Sequence, residues 1–99
     1  MRIIAVKTIK EFWEKNNHQD AEQSLRAWYH EAKQAKWRLP SDIKKQYKNA
    51  SILRNNRVVF NINGNKYRLV VAIQYRFQII FIRFIGAHAD YDKIKVEEI

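Results

Sequence analysis

Five consecutive residues, His88 to Asp92 (HADYD), gather an imidazole, a phenol and two carboxylates directly after the apolar run IIFIRFIGA. An extended chain would put His88, Asp90 and Asp92 on one side, a grouping of the kind that holds a hard or borderline metal. A helical start would instead use Asp90 or Asp92 as a cap and pack Tyr91 against the preceding strand. A third use is proton transfer. RNA can be cut by its own 2′-hydroxyl attacking the adjacent phosphate, given a general base, a general acid and cations for the charge on the phosphorane. His88 and Tyr91 can exchange protons, and Asp92 can orient or cap. A two-metal nuclease needs several converging carboxylates. The stretch from Ile43 to Ala89 contains no Asp or Glu, so no metal and no cofactor is expected.

The same acid-free stretch carries Lys44, Lys45, Lys48, Arg54, Arg57, Lys66, Arg68, Arg76 and Arg83, within a chain of net charge +9. A field of that sign draws polyanions. RNA is one, with Lys66, Arg57, Lys44, Lys45, Lys48 and Arg76 as contacts; an acidic protein partner would be served equally well.

The elements that must hold these residues follow from length and pattern. Ninety-nine residues, 46% hydrophobic, with two Gly and one Pro, describe one folded domain spanning 1–99. Cysteine is absent, which removes disulfides and thiolate ligation. The first residues contain no apolar run long enough for a signal or a membrane span, and a cytoplasmic protein is expected.

Residues 2–6 (RIIAV) predict a strand. Thr8 and Glu11 offer a capping box for a helix carrying Ile9, Phe12 and Trp13 on one face, broken at NNHQD. Asp20 and Gln23 offer a second box, followed by Ala21, Leu25, Trp28, Ala32 and Ala35 at steps of three and four, with Arg26, His30 and Lys33 on the wet face. RLPSD ends that helix, and Ser41 can start a short helical turn towards Tyr47.

From Ile52 to Gly86 the period becomes two. In VVFNINGNKYRLVVAI the turn is Asn63-Gly64 or Gly64-Asn65. Either choice puts Val58, Phe60 and Ile62 on one face with Tyr67, Leu69, Val71 and Ile73. A second turn near Arg76-Phe77 pairs Val71 with Ile82, Leu69 with Phe84, Val70 with Arg83 and Arg68 with Ile85. Arg68 and Arg83 then become diagonal neighbours on an uncovered face, a fork for phosphate. The predicted fold class is α+β: β-α-α, then an antiparallel meander, with two helices on one face of a small twisted sheet.

WRLPSDIKK at 37–45, VVFNINGNKYRLVVAI at 58–73 and IIFIRFIGAHADYDKI at 79–94 together resemble the HigB-type toxins of the RelE/ParE superfamily. The resemblance implies a metal-independent mRNA endonuclease working on translating ribosomes, restrained by a HigA-type antitoxin whose helix-turn-helix domain alone contacts operator DNA. Carried over by position, Arg68 matches the arginine of N-x-Y-R-L, Arg83 that of the last strand, and His88, Tyr91 and Asp92 those of H-x-x-Y-D. Ala87 stands where many relatives have a threonine. ParE-like relatives act on gyrase, so a toxin without nuclease activity, or a basic RNA- or protein-binding module, is the alternative.

Overall fold

The computed structural model describes residues 1–15 and 17–99. Its class is α+β, with four α-helices and a five-stranded mixed sheet among the described residues. Strand β1 (Arg2–Ile4) is followed by helices α1 (Val6–Lys15), α2 (Glu22–Gln34) and α3 (Pro40–Gln46). Strands β2 (Ser51–Ile52), β3 (Arg57–Ile62), β4 (Tyr67–Gln74) and β5 (Ile79–Ala87) form the meander, and α4 (His88–Tyr91) closes it. The sheet order is β1-β5-β4-β3-β2, with β1 parallel to β5 and the other pairs antiparallel. The element order is thus richer than β-α-α plus meander: the short helical turn expected from Ser41 towards Tyr47 is α3, and β2 and α4 are added.

Apolar spacing decides what each helix buries. Ile9, Phe12 and Trp13 of α1 and Leu25, Trp28 and Ala32 of α2 join Val58, Phe60, Ile62, Tyr67, Leu69, Val71 and Ile73 in one core. Phe60 is its meeting point, 5.5 Å from the Trp28 ring, 6.0 Å from Trp37 and 5.1 Å from Tyr47. The two expected caps are not used. Helix α1 starts before Thr8, at Val6, after Ala5 turns the chain with φ 72°. Asp20 precedes α2 in a turn of 3-10 helix, and its carboxylate is engaged elsewhere. Asp42 does act as an N-terminal acceptor, taking the N–H groups of Arg38 and Leu39 at 2.9 and 3.1 Å, with Pro40 opening α3.

The β3–β4 register is the one that the Gly64-Asn65 turn demands: Ile62 faces Tyr67, Phe60 faces Leu69 and Val58 faces Val71. The β4–β5 register departs from expectation halfway. Val71 faces Ile82 as predicted, but Val70 faces Phe84, Leu69 faces Ile85 and Arg68 faces Gly86. Arg83 is the extra residue of a β-bulge. The cause lies in the side chains. An unbroken ladder would turn Phe84 and Gly86 inward and Ile85 outward; the bulge sends Ile85 to the core and leaves Arg83 exposed. Phe84 instead lies across Gly86 on the second face, so close that a Cβ at residue 86 would sit 2.6 Å from its ring.

That second face is not bare. Val59, Val70 and Ala72 point to it, yet are 2%, 0% and 7% exposed. Residues 92–99 run back across it from the end of β5 towards the start of β3. There the Ile99 main-chain oxygen accepts from Arg57 Nε at 2.9 Å and from Nη2, and Asn55 Nδ2 donates to the Glu97 oxygen at 3.0 Å. Ile94, Val96 and Ile99 are half-buried along this path. The expectation of an uncovered face is therefore corrected: the apolar residues of alternate β4 and β3 positions needed a cover, and the chain's own last segment supplies it.

Gly86→Ala should lower stability by about 1–3 kcal/mol, because the ring above it must leave its place. Urea unfolding measures this, and the loss should shrink when the same change is made in a Phe84→Leu background.

Candidate active site

Strand β5 ends at Ala87, and the next residues close one helical turn, with the Asp92 N–H donating to the His88 oxygen at 3.1 Å. The helical alternative for HADYD is thus the one adopted. An extended row of His88, Asp90 and Asp92 is not formed, and among the described residues no three His, Asp or Glu side chains converge as a metal cluster. The turn brings His88 Nδ1 within 3.1 Å of Asp92 Oδ2. Such a contact fixes the ring's orientation and leaves Nε2 free for chemistry. The Tyr91 ring stands edge-on to His88, centroids 6.4 Å apart. His88 and Asp92 are exposed and Tyr91 is half-buried.

The β4 ladder sets what faces this turn. Tyr67 pairs with Ala87 and Arg68 with Gly86, and the His88 N–H donates to the Lys66 oxygen at 3.3 Å. Arg68 therefore emerges across the ladder from the residue two before His88, at the same end of the sheet. Its Nη1 is steadied by the Asn65 carbonyl at 2.9 Å and the Tyr67 carbonyl at 3.3 Å.

Arg83 leans the other way, its guanidinium 5.2 Å from the centre of the Phe81 ring. The diagonal Arg68–Arg83 fork rested on Val70 opposing Arg83, and the bulge removes that register. A cation over an aromatic face is held there by the ring's quadrupole.

Three residues expected as free RNA contacts have protein partners. Lys66 is ion-paired with Asp20. Arg57 holds the Ile99 oxygen. Lys44 Nζ donates to the Ala50 oxygen at 2.8 Å and to that of Lys48 at 2.6 Å, closing the chain behind α3. Arg76 stacks at 5.5 Å from the Phe77 ring. Lys45 and Lys48 are exposed on and after α3.

Asp20 was missed as a site residue because its partners lie in a hairpin 43 to 47 positions later. No local pattern signals that. One carboxylate oxygen accepts from Tyr67 at 2.5 Å, the other from Lys66 and from Asn63 Nδ2 at 3.3 Å. The hydrogen bond from Lys66, then that from Tyr67, holds the Asp20 carboxyl below its ordinary value, and Lys66 is raised in return. Burial, then Asp20, raises Tyr67. Asp20 thus ties the loop between α1 and α2 to the turn whose backbone meets His88.

Residues 21–94 match the family described as HigB_toxin, the RelE-like toxic component of a toxin-antitoxin system. The chain belongs to this toxin family. No curated protein matches it. The matched span runs from α2 through α4 and takes in Arg68, Arg83, His88 and Tyr91. As a toxin of such a system it has an antitoxin for a partner. No helix among the described residues of the toxin is long and apolar enough to cross a membrane.

The Asp20 carboxyl is depressed in the folded toxin. Its stabilising effect is complete above the unfolded value of 3.8 and is lost as pH falls through the lower folded value. Urea midpoints of wild type and Asp20→Asn should therefore differ at pH 7, and the gap should close below about pH 4.

Proposed function

We propose that this HigB-type toxin is a metal-independent mRNA endonuclease that blocks translation by cutting mRNA on the ribosome. The observation that carries the reading is the single turn after β5, where an Asp92-oriented imidazole and a phenol stand beside the strand position of Arg68. In the reaction the 2′-oxygen attacks the neighbouring phosphorus and the bond to the 5′-oxygen breaks. One of His88 and Tyr91 removes the 2′-hydroxyl proton, and the other delivers a proton to the departing 5′-oxygen. The products are a 2′,3′-cyclic phosphate and a 5′-hydroxyl. Arg68 neutralises the charge that gathers on the non-bridging oxygens in the transition state. Asp92 acts through His88, orienting its ring rather than reacting.

Arg83 has a different part in this scheme. With its guanidinium over Phe81 rather than toward Gly86, it suits the strand flanking the cut better than the scissile phosphate itself. Lys45 and Lys48, exposed beyond the core, are free to meet ribosomal or messenger RNA. The antitoxin partner is of the HigA type, with a helix-turn-helix domain through which the pair reaches operator DNA, and the toxin works in the cytoplasm.

Expressed in bacteria, His88→Ala, Tyr91→Phe and Arg68→Ala should each relieve growth arrest, with cleavage reduced about 10²–10⁴-fold as for loss of a proton-transferring or charge-stabilising group. Arg83→Ala should cost less than Arg68→Ala. Wild-type cleavage in a translation extract should persist in EDTA. Growth arrest without new 5′ ends would instead favour a toxin that binds a protein target.

A further inference from the structure

A cationic concavity of the toxin lies away from the His88 turn. A cleft of about 1060 Å³ opens where β1, the end of α2 and the β4–β5 turn meet. Arg2 pairs with Ile79, the first residue of β5, whereas His88 follows the last. The two places are thus separated by the length of β5, roughly 25 Å at 3.3 Å per residue.

Five cations line this cleft: Arg2, Lys33, Lys36, Arg38 and Arg76. No Asp or Glu lines it, and among the described residues none of the five side chains is ion-paired, although the Asp42 carboxylate accepts from the Arg38 main-chain N–H and lies close enough to feel its charge. Its walls are fixed. Gln78 Nε2 donates to the Trp37 oxygen at 2.7 Å and to that of Tyr75 at 2.9 Å, locking the β4–β5 turn to the segment after α2. The Met1 amino group donates to the Ala35 oxygen at 3.0 Å and to that of Ala32 at 3.4 Å, which satisfies the end of α2 and keeps those carbonyls from opposing an anion. Tyr75 lines the cleft as well, and its buried hydroxyl lacks a hydrogen-bond partner.

Aromatic surface accompanies the charge. Phe77, next to Arg76 in the turn, is 64% exposed. The ring of Tyr29 lies 5.7 Å from Lys33 Nζ. A group of cations with an exposed ring in the adjoining turn, one side of it met by the Arg76 guanidinium at 5.5 Å, matches a single nucleic-acid strand, which offers a regular line of phosphates and a π-face on each base. An acidic peptide would use the charges but leave Phe77 without a role.

We propose that this cleft is a second RNA site, which grips the phosphodiester backbone of a single strand and stacks a base on Phe77, remote from the cutting turn. The inference rests on the nuclease reading for its choice of RNA, but its test does not depend on cleavage. Binding of a fluorescent 2′-O-methyl oligoribonucleotide, which cannot be cut by 2′-oxygen attack, is followed by anisotropy against salt. Lys36→Ala/Arg38→Ala/Arg76→Ala is compared with Lys7→Ala/Lys10→Ala/Lys15→Ala on α1, which removes the same charge, with thermal melts confirming that both fold. The cleft triple should lose at least tenfold in affinity and flatten the salt slope by about 2, at 0.7 for each phosphate released. The α1 triple should lose under threefold. Phe77→Ala should weaken binding without changing the slope.

Equal losses in both triples would mean that only the overall field matters and would overturn the site. So would poly-glutamate displacing the RNA from the wild type as well as unlabelled RNA does, which would assign the cleft to an acidic protein. If instead His88→Ala leaves mRNA cleavage intact while the cleft triple still loses binding, the cutting mechanism fails and the cleft stands.

Discussion

Strand β4 is the constraint on which every other part of this toxin depends. It is paired on both edges and buried on both faces, so none of its residues can shift without moving a neighbour in two directions. Tyr67 reaches Asp20, Arg68 faces the His88 end, Leu69, Val71 and Ile73 join the helices, Val70 and Ala72 are buried on the second face, and Tyr75, just past the strand's end, lines the cationic cleft. A two-residue period makes that division compulsory: alternate side chains serve alternate faces.

Strong positive charge and a dry interior coexist because the cations are kept to the rim. The described residues include no buried charged side chain. Where a lysine or arginine comes close to the fold it is given an oxygen: Lys66 has Asp20, Arg57 has the Ile99 oxygen, and Lys44 has the carbonyls behind α3. Those that remain without carboxylates define the surfaces offered to a polyanion, since an exposed unpaired guanidinium costs little while an occupied one is worth less to a ligand.

Much of this was legible in the residue pattern. The spacing of Leu25, Trp28 and Ala32 and the alternation of Val58, Phe60, Ile62, Leu69 and Val71 placed the core on the correct face, because burial obeys local periods. The Gly64-Asn65 turn set its own register for the same reason. Four features were not readable. The bulge at Arg83 is a compromise between Phe84 and Ile85 that alternation cannot express. The cover formed by residues 92–99 depends on a segment with only scattered apolar residues. The Asp20 contacts join positions far apart in the chain, and an acidic residue ahead of a helix reads more naturally as its cap. The cleft was hidden likewise, since Arg2 of β1 and Arg76 of the β4–β5 turn are far in sequence from Lys33, Lys36 and Arg38 at and after the end of α2, and only Arg76 belonged to the stretch whose charge stood out.

The bulge has an evolutionary corollary. Position 83 carries no cross-strand partner, adds nothing to the interior and projects into water, so natural variation there is insulated from folding. A substitution there alters what the surface presents, the guanidinium over Phe81 included, whereas neighbouring positions on the same strand are held by the packing they share.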